Sequence, residues 1–193
     1  AEKLAKKINV PKIVPFKKFA TAKIPFSEFE IEVASARLEK YDESSRSPSE
    51  VQISNIEDDL LRRDFTVNAM AKDEHGEIID LFNGQQHLKW KLLMTPLDPM
   101  TTLMDDPLRL LRALRFSITR GFRISQPLWD AMMQPGILVK MKDVVSQDRM
   151  RDEVTKMMAH DTVKSLKLLS SIPGLLDVVF SDGLWLMPTS KKV

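Results

Sequence analysis

An α+β fold is what this sequence predicts: a small sheet with helices over residues 1–95, then an all-helical part over 96–193. Three observations carry that expectation. Short, alternating, β-branched segments cluster in the first part. Two prolines in "TPLDPM" (Thr95 to Met100) mark a break. Beyond them, apolar residues recur at helical spacing.

In chain order, "INVPKIVPF" (8–16) and "FEIEVASAR" (29–37) read as strands. In the second of these, Phe29, Ile31 and Val33 fall on one face and Glu30 and Glu32 on the other. "EKYDESSRSPSEVQ" (39–52) is polar, carries Ser and Pro, and reads as a loop. "SNIE" (54–57) has capping-box spacing and should open a helix through Leu61. "AKDEHGEIIDLF" (71–82) predicts a turn at His75-Gly76, then a strand from Glu77 to Leu81.

After the prolines, "TTLMDDPLRLLRALRFSITRG" (101–121) places Leu108, Leu111, Leu114 and Ile118 at helical spacing and stops at Gly121. "SQPLWDAMM" (125–133) and "SQDRMRDEVTKMMAHD" (146–161) follow serine caps, and "DTVKSLKLLSSIPG" (161–174) ends in Pro-Gly. Met150, Met157 and Met158 are expected to pack rather than to bind a cofactor.

Composition narrows the function classes. With 43% hydrophobic and 29% charged residues the chain can bury a core and is not disordered as a whole. No apolar run approaches the roughly 18 residues of a membrane helix, and the charged N-terminus has no secretory apolar region. Cysteine is absent, which excludes disulfides and thiolate zinc sites and fits a reducing, cytoplasmic setting. His75, His87 and His160 are too scattered to suggest a metal site. At a net charge of +2, a nucleic-acid partner would need local basic patches.

Two segments concentrate chemistry. In "DDLLRRDFTVNAM" (58–70), Arg62 and Arg63 cannot both point into a core. One reading is a structural ion pair with Asp64; the other is a ligand site, with Asp64 accepting from a sugar hydroxyl, an arginine holding phosphate and Asn68 in support. In "MDDPLRLLRALRF" (104–116), Asp105, Asp106 and Pro107 suit the first turn of a helix, and Arg109, Arg112 and Arg115 follow at intervals of three. These residues form either an exposed helix with Asp105–Arg109 pairing or a recognition edge. On such an edge a carboxylate accepts from an exocyclic amine and a guanidinium forks ring nitrogens or phosphate. Glu32 is either a solvated strand residue or one of a set of carboxylates for magnesium.

Taken together, "IEVASARLEKYDESSRSP", "IEDDLLRRDFTVNAMA", "GEIIDLFNGQQHLKWKLL", "DDPLRLLRALRFSITRGFRI" and "SQDRMRDEVTKMM" resemble the class II tRNA nucleotidyltransferases (CCA-adding enzymes) and bacterial poly(A) polymerases. The resemblance runs from about Phe19 to about Gly174. It implies a partial nucleotidyltransferase head over 1–95 and a helical neck over 96–193. It implies that Arg63 and Asp64 contact the ribose and phosphates of an incoming nucleotide, supported by Asn68, and that Asp106 and Arg109 read the base edge of CTP or ATP. Asp105 stands where the family carries Glu, Arg112 and Arg115 add nucleotide contacts, and Arg46 corresponds to a flexible-loop arginine. Glu32 falls where the family places a further acid near its metals, which implies Mg²⁺ as cofactor. The implied reaction adds CMP and AMP to the 3′ end of tRNA and releases pyrophosphate. A poly(A) polymerase, or a nucleotide- and RNA-binding fragment without turnover, is the alternative.

One departure stands out. The family opens its head with a Gly-Gly and a strand bearing Asp-x-Asp. This chain has neither, and its first glycine is Gly76. The expectation is that the chain begins inside the head domain.

Overall fold

The structure, a computed structural model, describes residues 6–7, 13–16, 21–26, 28–40 and 50–181. Strands β1 (Val14–Phe16), β2 (Thr21–Pro25) and β3 (Glu30–Ala34) form an antiparallel sheet in that order. Alternation along β2 buries Ala22 and Ile24, while on β3 it leaves Glu30 and Glu32 exposed, as predicted. Phe29 departs from the predicted face. It precedes the strand, is exposed, and stacks on Phe26 with ring centroids 4.5 Å apart.

The stretch expected to be loop is bracketed by strands. β4 (Arg37–Lys40) and β5 (Glu50–Ile53) pair antiparallel with Arg37 opposite Ile53. Val51 and Ile53 favour a pleated strand, and pairing outweighs the polar, Ser-rich signal around them. Arg46 lies outside the described residues.

Helix α1 (Ile56–Leu61) forms where expected, but its cap is one residue later. The Asn55 side chain accepts from the Asp58 amide at 2.8 Å, while the Ser54 hydroxyl bonds the Asp58 carboxylate. A 3₁₀ turn at Thr66–Asn68 leads into the hairpin β6 (Met70–Lys72) and β7 (Ile78–Asp80), which turns at Gly76 with φ 91°. Helix α2 (Gly84–Lys89) has no counterpart among the sequence expectations. Its first amides are held by the Asp80 carboxylate, at 2.6 Å from Gly84 N and 2.9 Å from Gln85 N. It packs directly on the 3₁₀ turn. A Cβ at Gly84 would stand 2.3 Å from the Thr66 carbonyl oxygen, and His87 Nδ1 lies 2.9 Å from Thr66 Oγ1.

Beyond β8 (Leu92–Leu93) come α3 (Pro99–Asp105), α4 (Leu108–Arg120), β9 (Arg123–Ile124), α5 (Gln126–Met132), α6 (Pro135–Val144), α7 (Gln147–His160), α8 (Thr162–Ser170) and α9 (Leu175–Val179). Among its described residues the helical part therefore contains one short strand, β9, which pairs parallel with β8. Ser125 and Ser146 occupy the predicted cap positions without a side-chain cap bond, whereas Asp161 does cap α8.

The helix expected across 101–121 is two helices. Residues before proline are driven out of the α region, and Asp106 is extended at φ −141° and ψ 97°. Asp105 thus closes α3 and Asp106 sits in the break. The expectation that both lie in the first turn of α4 is corrected.

The core is built from α3 to α9, with Leu103, Leu110, Leu111, Leu114, Leu128, Met132, Met150 and Met157 fully buried and Met158 packed against them. From the first part, Phe65 and Leu93 enter it. Phe65 meets Phe116 edge-on at 5.8 Å between centroids, and Phe116 meets Phe122 likewise at 6.3 Å. Phe65 therefore fixes the segment Arg62–Asn68 against α4, where the polar residues gather.

Candidate nucleotide site

The segment after α1 is a network of paired charges. Buried Asp59 accepts from Arg62 Nη2 at 2.6 Å and from Arg63 Nη2 at 3.0 Å. Arg63 Nη1 also donates to the Asn68 carbonyl at 3.2 Å, closing the loop on itself. Burial alone would raise the Asp59 carboxyl, but the Arg62 and Arg63 guanidiniums outweigh it and hold the group below its ordinary value. An acid whose folded value is lowered contributes stability above its unfolded value, about 4, and loses it as pH falls through the folded value. Wild type and Asp59→Asn should therefore differ most in stability above about pH 4, and acid unfolding curves should converge as pH falls below it.

Asp64 joins this loop to α4. Its Oδ1 accepts from the Phe65 amide at 2.8 Å and from Asn68 Nδ2 at 3.1 Å. Its Oδ2 accepts from Arg112 Nε at 2.8 Å and Nη2 at 2.6 Å. An ionised carboxylate offers about four lone-pair sites, so Asp64 is saturated. On Arg112, burial would lower the guanidinium, but Asp64 outweighs it and the balance is upward. Asn68 is half-buried beside this pair.

Arg109 is not on an exposed edge, so the reading of an exposed, Asp105-paired helix is set aside. The residue is 8% exposed. It donates from Nη1 to the Thr102 carbonyl at 3.2 Å and from Nη2 to the Arg62 carbonyl at 2.8 Å, tying α3, α4 and the end of α1 together. Asp106 accepts from the Leu108 amide at 3.2 Å and so starts α4 from the break before it. Asp105 is half-buried. Burial raises its carboxyl above the ordinary value, against the lowering pull of Arg109 and Lys140. Arg115 has a different partner: its Nε donates to buried Glu153 of α7 at 2.5 Å, and its guanidinium carbon lies 4.5 Å from the Phe116 ring centroid.

The structure thus brings Arg63, Asp64, Asn68, Asp106, Arg109 and Arg112 to one junction, with Asp105 at its edge. It sets Arg115 on the α4–α7 contact and Glu32 on the outer face of β3. Asp59 and Glu153 carry the arginines of this region, yet no sequence reading singled them out. Their only signal was an acid within reach of an arginine, at i+3 and i+4 for Asp59 and 38 residues away for Glu153. Glu32 shares its face with Glu30, and Lys23 lies opposite in register. Among the described residues no group of three or more acids or histidines could hold a metal ion. The described residues therefore do not by themselves assemble a site for a divalent cation.

Comparison with known proteins gives a consistent result. Residues 1–94 match the family described as the Poly A polymerase head domain. The tRNA nucleotidyltransferase of Schizosaccharomyces pombe is 35% identical over 158 residues, 80% of this chain and 32% of that protein. The solved CCA-adding enzyme of Bacillus stearothermophilus in complex with CTP aligns with a TM-score of 0.71 at 28% identity, covering 86% of this chain and 41% of that one. A tRNA nucleotidyltransferase complexed with a primer tRNA and an incoming ATP analog aligns with a TM-score of 0.74 at 28% identity, covering 92% and 49%. The chain spans about a third of the length of the curated relatives it matches. With the head-domain match, the α+β head followed by helices and the arginine–carboxylate junction between them, the chain belongs to the family of class II tRNA nucleotidyltransferases and poly(A) polymerases.

Proposed function

We propose that this chain is the nucleotide-selecting part of an enzyme that adds CMP and AMP from CTP and ATP to the 3′ end of tRNA, releasing pyrophosphate. One observation carries the reading most: a saturated Asp64–Arg112 pair joins the 62–68 loop to α4 beside buried Arg109. Relatives of the same fold have been solved with CTP and with a primer tRNA and an ATP analog. Residues 1–95 act as the head and 96–193 as the neck.

The junction's chemistry supports distinct roles. Arg63 and Arg112 supply planar donors for phosphate oxygens. A ribose hydroxyl reaches Asp64 by taking over one of the Arg112 bonds, with Asn68 holding the other oxygen. Asp106 offers an acceptor to the base edge, and Arg109 presents its fork there only by giving up its bonds to the Thr102 and Arg62 carbonyls. Arg115 acts through α4, as Glu153 and Phe116 fix it there. Asp105, shorter than the family's Glu, adds acceptor capacity at the edge. The cation of the reaction is proposed to be Mg²⁺, in the cytoplasm; Glu32 is the one residue of this sequence expected near it, and no step runs through it.

Incubating the 193-residue chain with Mg²⁺, labelled CTP or ATP and tRNA lacking its 3′ end tests this reading. Template-free incorporation supports it. Absence of incorporation with no nucleotide binding overturns it, whereas binding without turnover leaves a nucleotide-selecting module.

A further inference from the structure

A second basic surface lies at the far end of α4, away from the paired arginines. Lys89, Lys91, Arg120 and Arg123 are all exposed there, and Trp90 between the two lysines is 56% exposed. The Arg123 amide donates to the Lys91 carbonyl at 2.7 Å, so the ends of β8 and β9 bring the two side by side. Arg120 is three residues earlier, across the turn at Gly121 with φ 68°. None of these four cations has an acidic partner among the described residues. The contrast is with Arg62, Arg63, Arg112 and Arg115, each of which is paired.

Helix-end electrostatics explain part of this. Lys89 and Arg120 sit in the last turns of α2 and α4, where cations suit the macrodipole. That account leaves out Lys91 and Arg123, which lie beyond the helices, and the exposed indole. Lys91 is itself unusual. It ends α2 in the left-handed region at φ 49°, the position where glycine is the ordinary choice. A β-carbon there is strained. The chain therefore keeps a charged side chain at a position where glycine would be more stable, and strain of that kind clusters at functional sites.

We propose that Lys89, Trp90, Lys91, Arg120 and Arg123 form a docking surface for the backbone of an RNA strand, with one base stacked on Trp90. Unpaired cations collect phosphates, and an indole face accepts any base. At 1.5 Å per residue, Arg120 stands about 12 Å along α4 from Arg112. That spacing lets a strand whose end lies at the Asp64–Arg112 junction pass over the surface a few nucleotides away. The choice of RNA as the polymer rests on the proposed function; the surface itself does not.

Lys91→Gly provides the discriminating test, because it removes the charge and relieves the strain together. RNA affinity of the full chain is measured with a labelled single-stranded RNA across a salt series, alongside thermal unfolding and CTP binding. Lys91→Gly should raise Tm yet weaken RNA binding, and the slope of log K against log salt should become shallower by about 0.7. Trp90→Ala should lose about fivefold or more in affinity, and Trp90→Phe should retain most of it. CTP binding should be unchanged in all three. Unchanged RNA affinity and salt slope, with CTP binding intact, would overturn the surface and leave the nucleotide site standing. Loss of CTP binding in the wild type with patch-dependent RNA binding would do the reverse. If Lys91→Gly weakens heparin as much as RNA and Trp90→Ala changes neither, the face is a general polyanion site and the RNA assignment fails.

Discussion

Asp64→Ala is expected to lower folding stability by about 2 kcal/mol and to abolish measurable CTP and ATP binding. The change removes a carboxylate that receives four hydrogen bonds, two of them from the Arg112 guanidinium. It leaves Arg112, whose side chain is 33% exposed, without its hydrogen-bonded carboxylate, with only the weaker influence of Glu153 and Asp106 on its charge. Loss of one partner of a fully buried pair costs about 3–5 kcal/mol, and the partial exposure here reduces it. Asp64→Asn separates the two effects. It keeps one acceptor oxygen and the shape, so stability should fall less, while the lost charge still releases Arg112. Urea unfolding measures the first quantity and nucleotide titration the second. Unaltered nucleotide affinity in a folded Asp64→Asn protein would remove Asp64 from the site.

Arg109→Ala should reduce the use of CTP and ATP by at least about tenfold, on the scale of a lost bidentate pair, and leave RNA binding nearly unchanged. The residue also ties the Thr102 and Arg62 carbonyls together, so a stability loss of about 2 kcal/mol accompanies the change. Arg109→Lys keeps the charge but cannot form the planar fork. If base reading is the role, the lysine variant binds nucleotide more weakly while binding RNA normally. Equal losses for nucleotide and RNA would instead mark Arg109 as a brace between α3, α4 and the end of α1.

The two variants probe the part of the molecule that sequence reading located best and described least. "RRDFTVNAM" and "DDPLRLLRALRF" were legible as charge-bearing segments because their arginines and acids stand at close spacing. Their contact was not, since Asp64 and Arg112 are 48 residues apart and only folding around Phe65 joins them. Asp64 is an ion pair in this structure, and under the proposed function a nucleotide competes with Arg112 for it. Arg109 looked like an exposed stripe residue because its intervals fit a helix face. Burial came from the Asp106-Pro107 break, which turns α3 back against α4.

The fold shows the same division. Strand β3, the turn at Gly76 and the start of α1 follow from local alternation, turn residues and capping. The hairpin β4–β5, the parallel pair β8–β9 and helix α2 depend on partners distant in sequence or on a cap from Asp80, and local propensity carries no record of them.

Calorimetric titration of the 193-residue chain with CTP and ATP tests the central claim most directly. The account predicts saturable binding of each nucleotide at one site, lost in Asp64→Ala and weakened in Arg109→Lys. The absence of saturable binding by the folded wild-type chain would contradict it.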